Sequence, residues 1–458
     1  MPRDGSSSYR PLAAFIGAGL CVGAFWAAGG AAGNYIILYG RHGWAPPETA
    51  FLLNFVLLGL PCAGLLTGAL AHWCGHRFAT GFEQLPAVSR PTARRAAGLV
   101  ALLIGALVVL TRYGLLGNTA ITDDENVYDF MARVWASGHL WAPSPPLPVR
   151  AFFENQFIVN DGRWYGIYAP GHVLVLTLGQ WLGAIRWVTT VEAALTVLLG
   201  WALACRMFGR RAGLLALGLL AVSPFFVLIS ATMLAHSSAA LALTSFAYAA
   251  VRVVAAPTAT RWWLAAGCAL GWAGLTRPLT STAFAVQWLV LLALAAQRDR
   301  RAARGAALFV LAGVVAVVLF AGYNAAVTGS PFRTGYQVFA EANHFTFTMG
   351  SLPAPPPVAS LYEFFYSAAR LNFWLLGWPV SLVFIPFASR TPAARALALG
   401  SLTALLAYAI FLIPSINVVG PVHYGELPCR CWSSPRAAWS SLRSGPGACS
   451  DVRGSRRS

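Results

Sequence analysis

The sequence predicts an all-α polytopic membrane protein with about eleven transmembrane helices and a large first extracytoplasmic loop. Three observations carry this. The 458-residue chain is 57% hydrophobic and only 10% charged, with a mean hydropathy of +0.62, far from soluble averages. Its apolar runs are long enough to cross a bilayer and are separated by short arginine clusters. Of its 15 Asp and Glu, six (Asp123, Asp124, Glu125, Asp129, Glu154 and Asp161) lie between Arg112 and Pro170.

The net charge of +17 does not indicate a nucleic-acid partner. The basic residues sit between apolar runs instead of on one polar face, which is the pattern of membrane topology. All are arginine, so a lysine nucleophile is excluded. Five of the eight cysteines lie in or beside apolar segments and read as packing residues, with no disulfide framework implied.

The spans follow in order. Pro11–Leu38 is too long for a signal-peptide core and reads as a signal anchor with a cytoplasmic N-terminus. Ala50–Ala71 returns, and Arg77, Arg90, Arg94 and Arg95 mark the next loop as cytoplasmic. Ala96–Thr111 then delivers the acidic knot Asp123-Asp124-Glu125 to the outer face. Further spans are expected near Trp187–Cys205, Ala212–Ala231, His236–Val251, Trp262–Thr276, Leu279–Gln297, Gly305–Ala325, Leu371–Ala388 and Ala396–Pro414. Tyr168–Gly183 is apolar enough to cross, but counting it would turn most later arginine clusters outward. It is therefore read as a helix in or dipping into the outer interface. Two N-terminal spans (1–95) thus precede a transmembrane module (96–425) whose long outer loops are 112–186 and 326–370. The Ser- and Arg-rich segment 426–458 reads as a frameshifted or truncated end, with Cys429 and Cys431 an accident of it.

No P-loop, dinucleotide fingerprint or cytoplasmic domain offers a nucleotide-sugar site, so a glycosyl donor would arrive through the membrane. A sugar on a lipid phosphate does that. Its phosphate leaves as a stable anion, so one carboxylate acting as base on the acceptor hydroxyl suffices, whereas a glycosidase needs two. Asp124 is the first candidate for that base, with Glu125 and Asp123 as helpers or substitutes. The competing reading is that the acids cap the helix expected over Glu125–Ser137. A departing phosphate needs cations on the same face. Arg277, Arg333 and Arg163 are best placed, with interfacial snorkelling as the alternative for each. His236 and His172 are candidates for phosphate binding, proton sharing or a metal, or are structural. Tyr165, Trp135, Trp141 and Trp164 would stack on a sugar or anchor the loop at the headgroups. The spacing of Asp123, Asp124 and Glu125 leaves a divalent cation open without demanding one, and the sequence implies no other cofactor.

The run Asp124-Glu125-x-x-Tyr128, Ala132-Arg133, Phe153-Glu154, Gly162-Arg163-Trp164-Tyr165 and Tyr168-Ala169-Pro170-Gly171 resembles the first outer loop of the polyprenyl-phosphate-dependent membrane glycosyltransferases of the GT-C fold. Protein O-mannosyltransferase and aminoarabinose-transferase relatives belong to that group. Met233-Leu234-Ala235-His236, Leu275-Thr276-Arg277-Pro278 and Asn324-x-x-x-Thr328-Gly329-Ser330-Pro331-Phe332 extend the resemblance over about 96–425. The two N-terminal spans, Ala169 in place of a usual proline, and His236 where relatives often carry an acid depart from it. The resemblance implies a polyprenyl-phosphate sugar donor, an acceptor glycan, lipid or protein, an active face outside a bacterial inner membrane, and Tyr165 and Tyr168 near the substrate. A lipid or solute transporter and an inactive relative are the competing classes. Glu192 is the only acidic residue within the spans, and no duplicated halves are visible.

Overall fold

The computed structural model describes residues 89–155, 157–221, 223–342, 364 and 391–411. The expected spans at Pro11–Leu38, Ala50–Ala71 and Leu371–Ala388, most of 343–370 and the segment 426–458 lie outside the described residues.

Helix α1 (Arg90–Leu110) begins where Ser89 accepts a hydrogen bond from the Thr92 amide at 3.2 Å, with a proline in its first turn. It runs into a π-helical turn, Thr111–Leu115, that carries the buried Arg112. Across a loop lies α2 (Asp123–Ala136), followed by β1 (Ala142–Pro143), β2 (Ile158–Asp161), β3 (Arg163–Gly166) and α3 (Pro170–Trp181). Next come α4 (Val188–Phe208), α5 (Arg210–Ala221), α6 (Pro224–Ala231), α7 (His236–Ala255), α8 (Thr260–Thr276), α9 (Pro278–Arg298), α10 (Ala303–Thr328), α11 (Gly335–Ala342) and α12 (Pro392–Phe411).

Among the described residues, five helical segments have the length and apolarity to cross a membrane: Arg90–Leu115, Ile185–Phe208, His236–Ala255, Pro278–Arg298 and Arg300–Thr328. Each coincides with an expected span. The expected span Ala212–Ala231 takes the form of a pair, α5 and α6, that is long and apolar enough to cross only when taken together and is bent by 60° at the break. Pro224 cannot continue a helix from the preceding turn, and Ser223 opens the new one by accepting from the Phe226 amide at 3.3 Å. Helix α3, with 12 residues and so about 18 Å of rise, is too short to cross alone. It lies against α2 and α8, with His172, Val173 and Leu176 fully buried, so protein covers much of a helix expected in the interface.

The expectation of an entirely helical chain is corrected by the antiparallel sheet β1-β3-β2 in the first long loop, with Val159 opposite Tyr165 and Ala142 opposite Trp164. Gly162, at φ 77°, makes the tight reversal between β2 and β3. Asn160, Asp161, Arg163 and Trp164 leave the hairpin without an apolar run to mark it in the sequence.

Three packing regions organise the described helices, one of them formed where Ile104 and Val108 of α1 meet Val197 of α4 and Leu217 of α5. Toward one end, Trp263 and Trp288 are buried among α7, α8, α9 and α12. Toward the other, Val127, Tyr128, Met131, Tyr168, Val173, Leu176, Met233 and Tyr323 join α2, α3, the α6–α7 turn and the end of α10. The midsection of α10 faces outward, with Val310 60% and Val317 69% exposed, as a lipid-facing surface requires.

Candidate active site

Helix α2 is started by Thr122, not by an acid. Its hydroxyl accepts from the Glu125 amide at 3.4 Å, and Glu125 reaches back so that Oε1 accepts from the Ile121 amide at 3.0 Å. This is a capping box displaced by one residue. The second oxygen, Oε2, accepts from the Met233 amide at 2.7 Å. Both Glu125 oxygens are thus engaged by backbone, tying the start of α2 to the α6–α7 turn. Burial raises the Glu125 pKa, while the amides of Met233 and Ile121 and the Arg112 guanidinium oppose that shift. Arg112 grips the same turn from its carbonyl side, donating from Nε to Ala231 O at 2.8 Å and from one terminal nitrogen to Ser230 O at 3.1 Å and Thr189 Oγ1 at 2.6 Å.

Asp124 is arranged differently. Its Oδ1 accepts from the Tyr168 hydroxyl, and its Oδ2 is buried without a hydrogen-bond partner. Burial raises its pKa; the Tyr168 hydrogen bond and the Arg277 charge act in the opposite direction. Tyr168 is set by stacking on Tyr128 (ring centroids 4.4 Å apart), and Tyr336 meets its edge at 5.9 Å. Burial pushes the Tyr128 and Tyr168 phenols well above their usual range, so both stay neutral.

Arg277 joins α8 to α9. Gly171 explains why it lies near Asp124: a Cβ at that position would sit 2.8 Å from the Leu275 carbonyl carbon, so only glycine lets α3 dock here. The guanidinium donates to Tyr408 Oη at 3.2 Å, and that oxygen is 2.5 Å from Thr280 Oγ1. Burial works against the Arg277 charge, but the tyrosines 408, 128 and 336 favour it and the net shift is upward. The Asp124 carboxyl therefore feels the Arg277 charge in a region where Tyr128, Tyr168, Tyr336 and Tyr408 gather from α2, the residues before α3, α11 and α12.

The other candidates fall outside this pair. Arg163 donates to Ala326 O at 2.8 Å and packs over Trp141 at 5.1 Å, closing the carbonyl end of α10. Arg333 is exposed and pairs with Glu341. Tyr165 is buried in β3, its phenol pushed up by burial, with Arg333 and Arg163 opposing. His236 is the first residue of α7, and Asp123 is exposed in the first turn of α2. His172 is fully buried, with Nδ1 2.7 Å from Ser238 Oγ and Nε2 2.9 Å from Met233 O; Ser238 Oγ also contacts Glu192.

Among the described residues no group of three or more His, Cys, Asp or Glu side chains is arranged to hold a metal. Asp123, Asp124 and Glu125 do not form such a group: Glu125 is turned to the Ile121 and Met233 amides, Asp124 to Tyr168, and Asp123 is exposed.

Sequence reasoning assigned no role to Tyr128, Tyr336, Tyr408, Ser238 or Arg112. Tyr128 was recoverable: four residues beyond Asp124 it shares a helix face with it. Tyr408 and Ser238 arrive from distant helices and leave no local signal.

Residues 173–323, about a third of the chain, match the family model described as dolichyl-phosphate-mannose-protein mannosyltransferase. The match includes Glu192, the Met233–His236 turn and Arg277, and leaves α2 with Asp124 outside it. No curated protein and no solved structure matches the chain. With its apolar helices, the match marks an integral membrane protein similar to the GT-C glycosyltransferases and mannosyltransferase-like in the matched region.

Proposed function

We propose that the protein transfers a sugar from a polyprenyl-phosphate donor to an acceptor hydroxyl on the extracytoplasmic face of the membrane. The observation that carries this is Asp124, a buried carboxyl with one oxygen held by Tyr168 and the other without a partner. An unpaired, desolvated oxygen is costly unless something uses it. In this reading the acceptor O–H gives its proton to Asp124 Oδ2 as the acceptor oxygen bonds to the anomeric carbon. The bond from that carbon to the phosphate oxygen breaks, and polyprenyl phosphate departs as an anion facing Arg277. Tyr168 holds the carboxylate in the ionised form and aims it.

Two features support the reading. The region carrying Asp124 and Arg277 is joined to the α6–α7 turn and the end of α10, so loops alternating along the chain meet at one end of the bundle. Arg206, Arg210, Arg211, Arg252, Arg261, Arg298, Arg300 and Arg301 fall at the helix ends and connections between those loops, the distribution expected of a cytoplasmic face.

Purified protein in lipid, given a panel of polyprenyl-phosphate sugars and acceptors, should release sugar from one of them, and Asp124→Asn should lower that rate by a factor on the order of 10². Near-normal transfer by Asp124→Asn would remove the base. In a background without native cysteines, Phe152→Cys, at an exposed position of the first long loop, should react with an impermeant thiol reagent outside intact cells and Ala303→Cys only after lysis. Labelling of both from one side would overturn the common outer face.

A further inference from the structure

The His172, Ser238 and Glu192 contacts can be counted in hydrogens. Met233 O only accepts, so His172 Nε2 must carry a hydrogen. The Ser238 hydroxyl has one hydrogen and two acceptor-capable neighbours, His172 Nδ1 at 2.7 Å and Glu192 Oε1. A neutral imidazole with an ionised Glu192 would leave two acceptors competing for that one hydrogen, with a lone pair facing a lone pair on the losing side. The network is satisfied only with one more proton. Either Glu192 is a neutral acid donating to Ser238, which donates to Nδ1, or His172 is an imidazolium donating to Ser238, which donates to an ionised Glu192.

We infer that the proton resides on Glu192, making it a neutral carboxylic acid within its membrane-spanning helix and a positioning residue for the site. Two observations choose between the states. Glu192 Oε2 is buried without a partner, which is tolerable for the carbonyl oxygen of an acid and far costlier for a carboxylate. His172 is fully buried against the Tyr128 ring at 4.9 Å, and burial, with Arg277 adding repulsion, lowers its pKa to about 4. Glu192 and Ser238 then fix His172 as the Nε2–H tautomer. That N–H holds Met233 O while Glu125 holds the Met233 amide, so the two successive peptide groups flanking Met233 are each gripped, one from α3 and one from the start of α2. The His172 ring also supports Tyr128, on which Tyr168 stacks.

The test is infrared spectroscopy of the protein in lipid at neutral pH. The difference between wild type and Glu192→Gln should contain the carbonyl stretch of a protonated carboxyl, and that band should persist in Asp124→Asn. A difference showing only carboxylate bands overturns the assignment. Glutamine can replace the acid's donor with an amide N–H, so Glu192→Gln should keep transfer within about threefold and leave its pH profile unchanged, whereas Glu192→Ala should lose more than tenfold. Equal losses in the two variants would remove the positioning role. Should Glu192→Gln not fold, nitrogen-15 resonances of His172 in the wild type, assigned by their loss in His172→Gln, decide the same point: a neutral Nε2–H ring is expected, and an imidazolium overturns the proposal.

Discussion

Asp124 and Glu192 are both carboxyls withdrawn from water, each with one oxygen lacking a partner and each touching a hydroxyl. Their surroundings differ in charge. Asp124 sits in the first turn of α2, where free amides favour an anion, and feels Arg277. Glu192 lies within α4, facing Ser238 and, beyond it, a histidine that burial keeps neutral. Burial alone does not decide whether an acid is charged; the neighbours do. In the proposed reading the first region offers a base and the second a hydrogen-bonding strut.

The sharpest way to break the comparison is within one helix turn. Glu125→Gln should destabilise the fold, because an amide group placed against the Ile121 and Met233 N–H donors leaves at least one unsatisfied at about 1–3 kcal/mol each. Asp124→Asn should instead leave the melting temperature nearly unchanged while transfer is lost. Thermal unfolding beside transfer assays reads this directly, and the reverse pattern would exchange the two roles.

Arg277→Gln removes the cation proposed to face the departing phosphate and should raise the KM for donor by about 10–100-fold, with a smaller rescue by Arg277→Lys, since lysine lacks the planar fork. An unchanged KM would make Arg277 a packing residue of the α8–α9 junction.

Tyr168→Phe gives a subtler result. The hydroxyl donates to Asp124 and favours its charged form, so its loss should raise the Asp124 pKa further. With Asp124 as the proposed base, its ionised form is the active one, and the acidic limb of the pH–rate profile should move to higher pH by about one to two units, the equivalent of one hydrogen bond to a charged group. A limb that stays in place separates Tyr168 from the base. The smallest effect is expected at Asp123→Asn, where the side chain is exposed: transfer should stay within about twofold.

Much of this was legible locally. The spans over Arg90–Leu110, Val188–Phe208, His236–Ala255, Pro278–Arg298 and Ala303–Thr328 could be placed from apolar runs and flanking arginines, since a bilayer reads length and hydropathy one segment at a time. The acidic start of α2 and the Arg277-Pro278 junction were likewise visible as sequence. The break at Ser223-Pro224 carried a readable signal that apolarity outweighed.

Which acid does what was not legible. Asp123, Asp124 and Glu125 are adjacent and chemically alike, and a helix advancing about 100° per residue sends the three in different directions. Only the tertiary structure sets Glu125 against the Met233 amide, Asp124 against Tyr168 and in reach of Arg277, and Asp123 toward the surface. The same holds for Glu192, whose sequence says only that a lone acid lies in an apolar span. Its partners come from α3 and α7, and their hydrogen count, a property of the packed structure, fixes its charge.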